Sequence, residues 1–171
     1  MTSKVILAKA GIQIAAVMMS IATLSIAADA TFTVRILTPE AALRAAQAAL
    51  AQCRAEGFQV TVAVVDRSGV TQALIRDRYA APHTVDTAQR KAQTAVNFKM
   101  NTAALDRELQ PGHASAGIRS LPGVAAIAGG MVIQAQGALV GAIGVSGAPG
   151  PPNDDVCAAA GLKAIAEDLE F

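Results

Sequence analysis

Two histidines, His83 and His113, are the only imidazoles in the chain. Imidazole titrates near neutral pH and is a common metal ligand, so a histidine in a cleft can bind a metal or transfer a proton. His83 directly precedes a predicted helix, and His113 follows Pro111-Gly112 in a predicted loop. Binding and catalytic groups are often carried on such loops. Each histidine is therefore a candidate site residue, with an exposed or helix-capping imidazole as the alternative.

Three further side chains could act beside them. Tyr79 lies four residues before His83 on the same predicted loop, where its hydroxyl could ligate a metal or donate a hydrogen bond. Lys91 lies among alanines at helical spacing, on a face that is predicted to be buried, and Arg119 precedes the glycine-rich segment. Either cation could pair with a ligand carboxylate. Solvated surface charge is the alternative for such residues.

Several familiar catalytic motifs are not matched. Ser146 lies in Gly-Val-Ser-Gly, which lacks the spacing of the G-x-S-x-G nucleophile elbow. The glycines of that segment are not at a strand-to-helix turn, so they are not a dinucleotide fingerprint. A site of two histidines and one carboxylate for iron would need His83, Asp86 and His113 to converge.

The two cysteines, Cys53 and Cys157, lie in the predicted first and last helices. Their separation excludes a CxxC redox or zinc motif. Two buried thiols acting as small apolar side chains are one interpretation, and a disulfide in an oxidising compartment is the other.

The first 30 residues resemble a secretory signal peptide. Lys4 and Lys9 precede an apolar run over residues 11–26, and small residues follow up to Ala30. The run is shorter than the ~20 apolar residues of a membrane span, and no later segment qualifies. We expect cleavage after Ala28 or Ala30, with an uncleaved anchor as the alternative. We therefore expect a bacterial protein that is periplasmic or secreted and that has no stable membrane span once the signal peptide is removed.

The remainder, residues 31–171, has the size of one domain. Loss of Lys4, Lys9 and Asp29 leaves twelve basic and twelve acidic residues from the 14 and 13 of the full chain. With no net positive charge, one tyrosine and no tryptophan, the domain lacks the charge and stacking surfaces that bind nucleic acid.

Turn and capping signals predict the element order α-β-β-α-α-β-β-β-α. Thr38-Pro39 begins the first helix, and Thr84 caps the second. Residues 58–65 and 70–75 form a hairpin around Asp66–Gly69. We predict one α+β domain with a five-stranded, largely antiparallel sheet flanked by helices. Its alanine-rich helices bury little area each, so we expect a homo-oligomer that covers an apolar sheet face.

The segment from Leu121 to Pro149 predicts the last three strands. Apolar runs at 124–128, 131–135 and 138–145 are separated by Gly129-Gly130 and Gln136-Gly137, which favour tight hairpins. Glycines within the last run mark a bulge, or a place where another backbone or a flat ligand comes close.

Four blocks of the sequence together resemble the GlcG/HbpS-like haem-binding family, related to the C-terminal domain of PduO-type proteins. They are VAVVDRSG (62–69), AQRKAQTAVNF (88–98), LPGVAAIAGGMVI (121–133) and GALVGAIGVSGAP (137–149). The resemblance covers nearly all of the chain after residue 36. The chain departs from it at Val132, where proline is usual, and at residues 151–153, where some relatives carry a histidine.

The resemblance implies a profilin-like fold, assembly into homo-oligomers, and haem as the cofactor. His83 would be the axial iron ligand, with Tyr79 as its substitute or hydrogen-bond partner. Lys91 or Arg119 would meet the propionates, and His113 is a further candidate. The alternative is a small cofactor-independent or iron-dependent lyase or isomerase, in which His113 or His83 is the general acid–base and the substrate is a hydroxy or carboxylated metabolite.

Overall fold

The centre of the fold is an antiparallel sheet of four strands, in a computed structural model that describes residues 30–170. The strands are β1 (Thr61–Asp66), β2 (Thr71–Arg76), β3 (Gly130–Ala135) and β4 (Ala138–Ser146). Their spatial order is β2-β1-β4-β3, and every neighbouring pair is antiparallel. Residues from Val34 onward form one compact unit. The predicted α+β class is confirmed, whereas the predicted signal peptide lies outside the described residues, apart from Ala30.

Helices cover both faces of this sheet. They are α1 (Pro39–Ala55), α2 (Thr84–Phe98), α3 (Thr102–Glu108) and α4 (Pro151–Lys163), with short 3₁₀ helices at Ala116–Ser120 and Glu167–Leu169. Helices α1 and α4 pack on the face that carries Val62, Val64 and Ile143. Helix α2 packs on the opposite face, against Val65 and Ala142. Within residues 30–170, no helix has the length and apolar character that crossing a bilayer requires.

One of the five predicted strands, Val124–Ala128, is not part of the sheet, so that prediction is wrong. The amide of Ala125 donates to the hydroxyl of Thr94 on α2 at 2.9 Å, so it has a partner without joining the sheet. Ala126 packs against Leu105 and Leu109 of the α3 region. The segment therefore has the composition of a strand but binds to helices, and Gly130 begins β3 instead of closing a turn.

The second predicted hairpin turn of that segment is confirmed. Gln136 and Gly137 have φ values of 50° and 78° between β3 and β4. Positive φ at both central residues is the geometry of a type I′ turn, which matches the twist of the strands.

The glycines of β4 mark the approach of backbone. A Cβ at Gly144 would lie 2.1 Å from the carbonyl oxygen of Ala88 on α2, and one at Gly141 would lie 2.4 Å from the carbonyl oxygen of Val65. The sequence left three explanations for these glycines: a bulge, a nearby backbone or a flat ligand. The structure shows a nearby backbone. Helix α2 lies directly on β4 because Gly144 has no side chain.

Cys53 and Cys157 form a disulfide that joins α1 to α4, with a Cα–Cα distance of 5.4 Å. Both residues are fully buried in the larger core cluster. The interpretation as two free buried thiols is therefore wrong. The bridge closes a sequence separation of 104 residues.

Candidate functional site

A cavity of about 290 Å³ opens where β4 ends, between the first turns of α2 and α4. His83 and Thr87 of the α2 region form one side, and Pro151 begins the other. Ile127 adds an apolar wall, and the side chains of Lys91 and Asp154 line the base. The cavity therefore combines one imidazole, apolar surface and a buried pair of opposite charges.

His83 is held at this cavity by the start of α2. The prediction that Thr84 is the N-cap is wrong, because His83 occupies that position and Thr84 is the first helical residue. The Thr84 hydroxyl donates to the carbonyl of Ala81 at 2.6 Å and lies 2.7 Å from the buried hydroxyl of Thr61 on β1. These bonds fix the backbone of the α2 start to the sheet.

The imidazole of His83 is itself exposed. Its backbone carbonyl accepts bonds from the amide and the hydroxyl of Thr87, at 3.1 and 3.0 Å. Among the described residues, no hydrogen bond or ion pair uses the ring nitrogens. A ring with free nitrogens on a fixed backbone is suited to ligate a metal that enters the cavity.

Lys91, which lines the same cavity as His83, forms a buried ion pair. Its ammonium is 2.7 Å from Asp154 Oδ2 and donates to the carbonyl of Val145 at 2.9 Å. The lysine side chain is 3% exposed and the aspartate side chain 5%. The predicted burial of Lys91 is confirmed, and its partner Asp154 is a residue that the sequence did not single out as part of the site.

Burial raises the pKa of Asp154, and the neighbouring Lys91 opposes that rise. The other carboxylate oxygen, Oδ1, accepts the amide of Ala148 at 3.0 Å. Because the two charges neutralise each other, the base of the cavity carries no free cation. Lys91 thus joins α2, the end of β4 and the first turn of α4 around the cavity.

Gly129 closes the rear of this ion pair. A Cβ there would lie 2.8 Å from both the Cβ of Asp154 and the ammonium of Lys91. Its amide donates to Asp155 Oδ1 at 2.6 Å, and burial raises the pKa of Asp155. In the sequence, Asp154 and Asp155 have the ordinary pattern of acidic residues at a helix start. The feature that could have pointed to them is Lys91, a lysine on a buried helix face that needs an acidic partner.

The other predicted site residues lie apart from this cavity. Tyr79 is 80% exposed on the loop before α2 and does not line it. His113 is exposed on the loop after α3. Arg119 forms an ion pair with Asp106 and donates to the carbonyl of Leu109. The structure therefore brings together His83 and Lys91 of the predicted set.

The described residues contain no cluster of three or more histidine, cysteine, aspartate or glutamate side chains that could hold a metal ion. The predicted convergence of His83, Asp86 and His113 as an iron site is therefore not observed. Of these three residues, His83 lines the cavity.

Comparison with protein families gives one match. The sequence profile described as "Haem degrading protein HbpS-like" matches residues 37–163, which is more than half of the chain. A comparison with curated proteins finds no match.

Several solved structures are similar to this chain. A double mutant of HbpS from Streptomyces reticuli is 36% identical, with a TM-score of 0.75 over 92% of this chain and 99% of that chain. ORFY from Klebsiella pneumoniae is 26% identical, with a TM-score of 0.78 over 81% and 97%. A PduOC–haem complex is 29% identical, with a TM-score of 0.72 over 76% and 95%.

Proposed function

The chain belongs to the HbpS-like family, and from that premise we propose that it binds haem at the cavity beside His83. The family description names haem, and a similar structure is a haem complex. The observation that carries the proposal is the exposed imidazole of His83 on a fixed backbone, in a cavity whose lining includes the apolar Ile127.

The residues present fit this cofactor. Imidazole is a common protein ligand of haem iron, and haem would bring its other nitrogen ligands in the porphyrin. Ile127 is 44% exposed beside the cavity and would pack against an apolar ring face, with Ala148 and Pro151 adjacent. When bound, haem supplies an iron centre that exchanges electrons and small ligands.

The size of the cavity bears on how haem would sit. About 290 Å³ is at the low end of ligand pockets, which run from roughly 300 to 1,000 Å³. Part of a bound haem would therefore lie outside this cavity.

The other predicted site residues have different roles in this proposal, and two of them have none. Lys91 holds the cavity together through Asp154, so its ammonium is already paired. Tyr79, on the same loop as His83, is the substitute ligand. Arg119 and His113 do not line the cavity and have no assigned contact with haem in the proposed site.

The test is a hemin titration followed by the Soret band. The chain's two histidines offer a matched control, since both are exposed and loop-borne. We expect His83→Ala to weaken binding at least tenfold and to alter the Soret maximum, whereas His113→Ala leaves both unchanged. If the two variants behave alike, His83 is not the iron ligand. Loss of binding in Tyr79→Phe would then identify the tyrosine oxygen as the ligand.

The family description supports a second, dependent function, the degradation of bound haem. Haem-loaded protein incubated with ascorbate would lose its Soret absorbance and release iron that ferrozine detects. His83→Ala should slow both changes in parallel. A stable Soret band under these conditions would restrict the function to binding.

We also propose that the domain is exported. The basic and apolar pattern of residues 1–30 supports this, and so does the disulfide, because such bridges persist in oxidising compartments. When the full-length chain is expressed in a bacterial host, a shortened protein should appear in the periplasmic fraction, with a mass that corresponds to cleavage after Ala28 or Ala30. Full-length protein in the cytoplasm would contradict the proposal.

Self-association is the remaining part of the proposed function. Val70 and Leu74 are 58% and 39% exposed, and Leu74 lies on the edge strand β2. An edge strand has backbone groups without a strand neighbour on one side, and apolar side chains there favour contact with a second copy.

A further inference from the structure

A second cavity lies at the opposite end of β4 from the His83 cavity. It has a volume of about 440 Å³ and is bounded by the start of α1, the β3–β4 hairpin and the 3₁₀ helix Glu167–Leu169. Its floor is apolar and includes Leu37, Val140 and Ala41, all of which are nearly fully buried. It shares no lining residue with the His83 cavity.

Two arginines form the polar rim of this second cavity. Arg44 of α1 makes an ion pair with Asp168, and its side chain is 50% exposed. Arg35 donates from Nη1 to Gln136 Oε1 at 2.7 Å. A guanidinium has five N–H donors, and within the described chain each of these arginines uses one nitrogen for a side-chain partner. Donors therefore remain on both guanidinium groups at the mouth of an apolar pocket.

We infer that this second cavity binds an amphipathic monocarboxylate. Its apolar body would lie on the floor formed by Leu37, Ala41 and Val140, and its carboxylate would be held between Arg35 and Arg44. Guanidinium groups match the planar carboxylate geometrically and bind it with charge-assisted hydrogen bonds.

The charge of the rim favours a single negative charge on the ligand. Arg35 and Arg44 contribute two positive charges and Asp168 one negative charge, and among residues 30–170 no other ionised side chain lines the cavity. A dianionic phosphate would face Asp168 and find little polar surface on the floor. A carboxylate with a hydrocarbon chain satisfies both the single net charge and the apolar floor.

The adjoining surface gives room for the hydrocarbon chain. A neighbouring cavity of about 590 Å³ runs along β3 and the end of α4, and shares Leu169 with the second cavity. A chain of medium length could therefore extend past Leu169. We choose octanoate as the probe for this reason, with octan-1-ol as the uncharged ligand of equal length.

The experiment is isothermal titration of the full-length protein with octanoate. Arg35→Gln and Arg44→Gln should each weaken binding about tenfold, because each removes a charge-assisted bond. Arg90→Gln is the matched control, since Arg90 is 48% exposed and pairs with one carboxylate, Asp86, at 2.8 Å on α2. It should leave octanoate affinity unchanged, and octan-1-ol should bind at least tenfold more weakly than octanoate.

A variant that keeps both arginines tests the pocket itself. Leu169→Trp fills the junction of the two cavities and should abolish octanoate binding while the far-UV circular dichroism spectrum stays that of wild type. The inference is overturned if octanoate shows no saturable binding at millimolar concentration, if octan-1-ol binds equally well, or if Arg90→Gln weakens binding as much as Arg44→Gln. None of these results depends on whether the protein binds haem.

Discussion

Reduction of the Cys53–Cys157 disulfide should lower the free energy of unfolding by about 4 to 5 kcal/mol. In the chain-entropy description, a cross-link limits the unfolded chain, and the effect grows with the logarithm of the loop that it closes. The separation here is 104 residues, and a loop of roughly 100 residues corresponds to about 4.7 kcal/mol. Typical domains have about 5–15 kcal/mol in total, so this bridge provides a large part of the stability.

The assay is urea unfolding of the oxidised and the reduced protein, followed by circular dichroism at equal protein concentration. Both cysteines are fully buried, so reduction is carried out in denaturant before refolding with reductant present. We expect a lower midpoint and a larger m-value after reduction, because the unfolded chain expands and exposes more surface.

The double variant Cys53→Ala/Cys157→Ala is the control for the reductant. Its unfolding curve should be identical with and without reductant, and it should resemble reduced wild-type protein apart from the loss of two buried sulfurs. A difference below about 1 kcal/mol between oxidised and reduced wild type would refute the reasoning. Such a result would mean that the unfolded chain is already compact, so that the disulfide reduces its conformational entropy only slightly.

Three further outcomes are expected. Gly144→Ala should destabilise the fold by roughly 1–3 kcal/mol or more in urea unfolding, because the new Cβ would lie 2.1 Å from a backbone oxygen. Gly117→Ala is the control: Gly117 has open space around it, so the change in stability should be less than about 0.5 kcal/mol. The hydrogen bond from Arg54 lowers the pKa of Asp77 to about 2, so its stabilisation is complete above pH ~4 and is lost as the pH falls through 2. Arg54→Gln should therefore reduce the loss of stability that wild type shows between pH ~4 and ~2 in urea titrations. Leu74→Glu should lower the molar mass measured by light scattering, and a monomeric wild-type protein would contradict the self-association proposal.

The parts of the fold that could be predicted have their signals within a few residues of one another. Thr38 caps α1 through its hydroxyl, which accepts the amide of Ala41 at 3.3 Å, and Pro39 follows at the first helical position. The Gln136-Gly137 turn is equally local. In contrast, Val124–Ala128 has the composition of a strand, and its structure is decided by Thr94, which lies some thirty residues earlier. Local composition does not contain that contact.

The same distinction applies to the site. His83 could be identified because a histidine beside a helix start is visible in the sequence. Lys91 could be predicted to be buried from the alanines around it, but Asp154 lies 63 residues away and its pairing could not be inferred. Acidic residues at the start of a helix are expected because they interact favourably with the helix dipole. Their presence there therefore does not indicate that one of them pairs with a buried lysine.

The buried pair has a consequence for what the His83 cavity can recognise. Lys91 was a candidate for binding a carboxylate, but its ammonium already has Asp154 and the carbonyl of Val145 as partners. An incoming anion would have to displace Asp154, leaving that carboxylate buried without its counter-ion, which is strongly unfavourable. The groups that remain for a ligand of this cavity are the imidazole of His83 and the apolar lining. Exposed donors suited to an anion are found instead at the far end of β4, on Arg35 and Arg44. The two proposals thus place metal ligation and carboxylate recognition at opposite ends of one strand.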